Sequence, residues 1–134
     1  MIFVDTSFWV ALRLRRDGRH EEAVGLLDEY GGTSLVTSNQ VRGETWTFLR
    51  ARGGHRDGVA FLDMVERTPR LQLAFIDEKL EQAAVDWLRQ HDERPYSFVD
   101  ATSFALMALV GIREALAFDG DFAAAGFVEL RPSQ

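Results

Sequence analysis

The chain has 134 residues, enough for one domain with a real core and too few for two ordinary ones. Hydrophobic residues make up 46% and charged residues 27%, which excludes a disordered chain; the absence of cysteine excludes disulfides, thiolate zinc sites, iron–sulfur clusters and a cysteine nucleophile. A formal net charge of −6 argues against gripping nucleic acid through bulk positive charge, and leaves room for a local basic groove.

The apolar run Ile2 to Asp5 predicts a short buried strand. Ser7 to Arg16 follows as a helix that Asp17-Gly18 breaks, and Arg19 to Tyr30 as a second that Gly31-Gly32 ends. Ser34 to Thr37 reads as a strand. Ser38 or Asn39 then caps a helix carrying Val41, Glu44, Thr45, Phe48 and Leu49. Gly53-Gly54 separates it from a helix over His55 to Arg67. A strand over Leu71 to Ile76 leads to Asp77, which caps a helix over Glu78 to His91. After a polar loop comes an apolar helix containing Asp100, then a strand over Leu116 to Phe118. A helical turn around Phe122 to Ala125 and a strand over Val128 to Leu130 complete the pattern, with Pro132 to Gln134 expected as a loose tail. Strands alternating with helices indicate one α/β domain with a largely parallel sheet.

The N-terminal apolar run lacks a basic segment before it and is interrupted by Asp5, so it does not read as a secretory signal. Ala105 to Ile112 is too short to span a bilayer, which needs roughly 20 residues. Together with the lack of cysteine this leads us to expect a cytoplasmic protein without membrane contact. Lys79 is the only lysine; composition bias accounts for the arginines more simply than phosphate recognition does.

Acids punctuate the ends of two apolar runs. Asp5 follows Ile2-Phe3-Val4, and Asp119-Gly120-Asp121 follows Leu116-Ala117-Phe118. In open α/β sheets ligands bind beyond the carboxyl ends of strands, so carboxylates there suggest a site. Asp100 lies among Phe98, Val99 and Phe104, where a buried carboxylate is costly unless paired or holding a cation. Each acid also has a local reading. Asp5 can cap the next helix, Ser97-x-x-Asp100 fits a capping box, Asp119-Gly120 is a turn signal, and Asp121 can cap a short helix. Glu44 alone reads as a solvated helical glutamate. His20, His55 and His91 lack zinc spacing, and no phosphate loop, dinucleotide fingerprint or nucleophile elbow is present. Trp9, Trp46 and Trp87 fall in helices and read as packing residues.

Taken in order, Ile2-Phe3-Val4-Asp5-Thr6-Ser7, the Glu44 helix, Phe98-Val99-Asp100-Ala101-Thr102-Ser103-Phe104 and Phe118-Asp119-Gly120-Asp121-Phe122 resemble the PIN-domain ribonucleases, and within them the VapC-type toxins of bacterial toxin–antitoxin pairs. The resemblance implies a three-layer α/β/α domain over residues 1–134. It also implies that Asp5, Glu44, Asp100 and Asp119 converge at one end of the sheet, with Asp121 as an accessory acid and the Ser7 and Thr102 hydroxyls beside them. The implied activity is hydrolysis of RNA phosphodiesters with Mg²⁺, for which Mn²⁺ can substitute. A small cognate antitoxin is the implied partner, and a homodimer the implied assembly.

Such chemistry needs a cation to activate water and stabilise phosphate charge, and hard cations want oxygen ligands. Asp5 and Asp100 are expected to contact the metal most directly, with Glu44 and Asp119 acting through water. Without a cation, at least one of the clustered acids should hold a proton. An acidic pocket also repels RNA, so arginines must line its rim; Arg13, Arg15, Arg16, Arg42 and Arg50 are candidates. Two other readings stand beside this one. A phosphotransfer or phosphatase-like protein would want a lysine or a second acid near Asp5, and a non-catalytic interaction domain would use the acids only as caps.

Overall fold

A computed structural model describes residues 1–133, so Gln134, the last residue of the expected tail, lies outside it. Five strands form one all-parallel sheet in the order β3-β2-β1-β4-β5. β1 (Ile2–Val4) is wholly buried and apolar, as a strand flanked on both sides and covered on both faces must be. It pairs with β2 (Leu35–Ser38) on one side and with β4 (Glu114–Leu116) on the other. β3 (Leu71–Ala74) and β5 (Val128–Glu129) form the edges. The chain moves outward from β1 through β2 to β3 and then returns to β4 on the opposite side. β1 and β4 therefore meet where the strand order reverses, the crevice where such sheets bind ligands.

The helices flank this sheet. α1 (Thr6–Arg13) packs on α2 (His20–Tyr30) and on α3 (Asn39–Arg67), while α4 (Glu78–Gln90) packs on α5 (Phe98–Val110). α6 (Asp121–Ala124) is a single turn. Among the described residues no helix is long and apolar enough to cross a membrane. The core joins the sheet to both helix groups through Phe3, Phe8, Leu26, Leu49, Phe61 and Phe122. Phe104 anchors α5 within it, its ring 5.1 Å from Trp87, 4.9 Å from Phe122 and 5.5 Å from Phe127. Truncating it to alanine would remove about 3–5 kcal/mol, and it lies one turn beyond Asp100.

The expected elements are present with shifted ends. α1 stops at Arg13, where Leu14 turns extended, rather than at Arg16. β3 ends at Ala74 and β5 at Glu129. The strand expected at Leu116 to Phe118 lies two residues earlier, because Leu116 pairs with Val4, the last residue of β1. Ala117 and Phe118 therefore form a crossing segment that carries Asp119 away from the sheet. The break expected at Gly53-Gly54 takes the form of a kink inside α3. Gly54 has φ 88°, a conformation that side chains other than glycine's rarely tolerate.

Candidate metal centre

Asp5 stands at the carboxyl end of β1, where its own backbone N–H donates to the Leu116 carbonyl (3.0 Å). One carboxylate oxygen accepts from the Ser7 backbone N–H (3.1 Å) and the Ser7 hydroxyl (2.8 Å), so Asp5 is the α1 cap. The same hydroxyl accepts from the Phe118 backbone N–H (3.0 Å). Ser7 thereby ties the end of β1 to the segment that delivers Asp119.

Asp100 comes from the first turn of α5. The capping box is real: the Asp100 carboxylate accepts from the Ser97 N–H (3.0 Å), and the Ser97 hydroxyl accepts from the Asp100 N–H (2.9 Å). Capping engages one carboxylate oxygen, and Asp100 also lines the crevice. Asp119 accepts from the Asp121 N–H (3.1 Å). Gly120 makes this turn at φ 83°, and it is Gly120, not Asp121, that caps α6. Asp121 is the first residue of α6, and its carboxylate pairs with Arg94 (2.9 Å). The Arg94 guanidinium also donates to the Asp119 carbonyl (3.3 Å). From the other side, Glu129 accepts from the Gly120 and Ala123 N–H groups, which holds the turn onto β5.

Asp5, Ser7, Asp100, Asp119 and Asp121 line one cleft of about 530 Å³ together with Glu44, Ser97, Phe118 and Arg19. Asp100, Asp119 and Asp121 each offer a carboxylate oxygen within 4.8 Å of the others. That trio is the tightest group among the described residues, whereas the sequence favoured Asp5 with Asp100. Asp5 is 2% exposed and sits at the floor. Glu44 reaches the cleft from α3, half-buried. Thr102 does not reach it. Its hydroxyl donates to the Val99 carbonyl one turn back (2.7 Å), as helical threonines commonly do, and the residue is fully buried away from the acids.

The electrostatics record the crowding. Burial pushes the Asp5 carboxyl up to about 8, Asp119 and then Asp100 adding to the shift against the opposing hydrogen bonds from Ser7. Burial likewise takes Asp100 to about 7, with Asp119 and Asp121 adding and Ser97 opposing. Asp119 is raised too, by burial first and then by Asp121 and Glu129. A divalent cation beside them would let these carboxyls ionise together. The donors are all carboxylate oxygens, the set that hard divalent cations prefer. The Thr6 hydroxyl, buried on the cleft wall, has no partner within the protein.

Of the arginines expected at the rim, Arg50 lines neither this cleft nor the one adjoining it, and Arg42 lies over the Phe75 ring (5.8 Å). Arg13, Arg15 and Arg16 line an adjoining cleft. Arg19, Arg52 and Arg94 were missed. Arg94 was hidden in a polar loop after α4, and only the fold carries that loop to Asp121. Lys79, which a phosphotransfer site would need beside Asp5, lines a separate apolar cleft with Trp87 and Phe127.

An all-parallel sheet with a carboxylate cluster at its switch point is the architecture that the PIN resemblance implied. Residues 2–128 match the PIN domain family, and the chain belongs to it. It is similar to the 23S rRNA-specific endonuclease VapC20 of Mycobacterium tuberculosis, in two strains, with 52% identity over 98% of this chain and 99% of that protein. The crystal structure of Mycobacterium tuberculosis VapC20, described as a sarcin–ricin loop cleaving toxin, superposes with a TM-score of 0.93 at 50% identity, covering 98% of this chain and 100% of that one. FitAcB from Neisseria gonorrhoeae shares the fold at a TM-score of 0.69 and 16% identity, over 98% of both chains.

Proposed function

We propose that this protein is a divalent-metal-dependent endoribonuclease, the toxin of a toxin–antitoxin pair, and that it cuts the sarcin–ricin loop of 23S rRNA. The observation that carries this reading is the carboxylate-lined cleft at the β1/β4 switch point. Near-full-length 52% identity to a 23S rRNA-specific endonuclease supports the substrate.

Asp5, Glu44, Asp100 and Asp119 are the catalytic acids of this reading, and Asp121 assists. Mg²⁺ is the working ion, with Mn²⁺ as substitute. Bound there, it supplies Lewis acidity and a water of lowered pKa. The protein's own contribution is positional. Ser7 fixes Asp5 relative to Phe118, Ser97 fixes the rotamer of Asp100, and the Gly120 turn fixes Asp119. Glu44, which also lines the cleft, would orient the attacking water. A small antitoxin that covers this cleft, a homodimer and a cytoplasmic location complete the reading. The whole chain acts as one domain.

The test is cleavage of purified ribosomes and of a synthetic sarcin–ricin hairpin in Mg²⁺, mapped by primer extension. A single cut in the loop is expected, abolished by EDTA, by Asp5→Asn and by Asp100→Asn. Folded Asp5→Asn and Asp100→Asn proteins that still cut would refute it.

A further inference from the structure

We propose that the RNA backbone leaves the acid cleft over Arg52 and enters a second, basic cleft, where Arg13, Arg15 and Arg16 hold its phosphates. This rests on the endoribonuclease reading above and adds the path of the substrate.

The second cleft, of about 750 Å³, lies between the end of α1 and the kink of α3. Arg52 and Asp17 line both clefts, so the two are continuous. Four arginines face two acids there, Asp17 and Asp57: four minus two leaves a local charge of +2 on a chain of −6. All four arginines are exposed, and among the described residues none of them forms an ion pair. Of the ten arginines elsewhere, Arg19, Arg89, Arg94 and Arg131 form ion pairs, and among the described residues no other cleft gathers four unpaired ones. Uncompensated positive charge is thus concentrated beside the one cleft whose acids would repel a polyanion.

The backbone builds this place. Arg13 is the last residue of α1, and Arg15 and Arg16 project from the turn that follows. Gly54 breaks α3 two residues after Arg52. A Cβ on Gly53 would meet the Asp57 carboxylate at 2.1 Å, so a larger residue there would displace that side chain. The Arg52 guanidinium lies over the Phe48 ring (4.7 Å), and Phe48 lines the acid cleft with 41% of its surface exposed. At the junction a planar cation stacked on an aromatic face can meet a phosphate while staying anchored. These contacts are to backbone, so they position RNA without reading its sequence.

Binding of a fluorescein-labelled sarcin–ricin hairpin to the full chain, followed by anisotropy in EDTA over a range of KCl, tests the path. Each neutralised phosphate contributes about 0.7–0.9 to the slope of log affinity against log salt. R15Q/R16Q and R13Q/R52Q should each bind several-fold more weakly and flatten that slope by roughly 1.4–1.8. R15K/R16K should keep the slope, and the thermal midpoints should match that of the parent, which separates lost charge from lost fold. Slopes unchanged in both glutamine pairs would overturn the proposal, as would loss of antitoxin binding with RNA binding intact, since the cleft would then serve an acidic protein segment. If the parent cuts RNA in Mg²⁺ and Asp5→Asn does not, an unchanged slope condemns only the path. If the parent neither binds nor cuts RNA, path and reading fall together.

Discussion

Replacing Asp5 with asparagine will flatten the pH dependence of stability of the metal-free protein. Asp5 is 2% exposed, and its carboxyl is pushed up to about 8 from an ordinary 3.8. Between those values the folded protein keeps a proton that the unfolded chain releases. Folding therefore binds protons, and stability falls as pH rises through this window, fully present below the unfolded value and lost by the folded one. At about 1.36 kcal/mol per pH unit, the roughly three units from about pH 4 to about pH 7 amount to on the order of 4 kcal/mol. That is a large share of the 5–15 kcal/mol a domain of this size typically has. Asparagine keeps the shape and one acceptor and removes the titration. Urea unfolding in EDTA at several pH values gives the difference between parent and variant. It should be small near pH 4 and favour the variant by several kcal/mol near pH 7. Mn²⁺ should restore the parent at the higher pH and do less for the variant. A difference that stays flat with pH would refute the argument, because Asp5 would then be ionised without cost in the folded state.

Ser7→Ala removes two hydrogen bonds and leaves the Phe118 N–H without its partner, so a loss of about 1–3 kcal/mol in urea unfolding is expected, with cleavage reduced as Asp119 loses its tether. A loss below about 0.5 kcal/mol would show that water replaces the hydroxyl. Arg94→Gln removes the cation paired with Asp121, so Mn²⁺ should bind more tightly by calorimetry; unchanged or weaker binding would mean that Arg94 serves only the loop. Gly58→Ala places a Cβ 2.6 Å from the Trp46 ring, and although alanine favours helix, overpacking of about 1–3 kcal/mol should prevail. A raised thermal midpoint would show that Trp46 moves aside freely.

The alternation of apolar runs with amphipathic stretches was enough to indicate an α/β domain, and the ordered set Asp5, Glu44, Asp100 and Asp119 was enough to indicate the family, now shown by its match over residues 2–128. Local chemistry was legible too, since the capping by Asp5 and Ser97 follows from near neighbours in the chain. What the sequence left open depended on distance. Whether Ser97-x-x-Asp100 was a cap or a site had no local answer, because the carboxylate caps α5 and also lines the cleft. Thr102 matched a family position, yet its hydroxyl turns back to Val99, a choice made by helix geometry. The place of Asp119 depended on the Val4–Leu116 register, which ends β4 two residues early and sends Phe118 across to Ser7. Arg94, Arg52 and the acids are far apart along the chain, and only the return from β3 to β4 beside β1 brings them together. Composition and periodicity are properties of neighbours, and they determined the elements and their class. A metal site is a sum of charges at a few ångströms, and that sum was decided only when the sheet closed around β1.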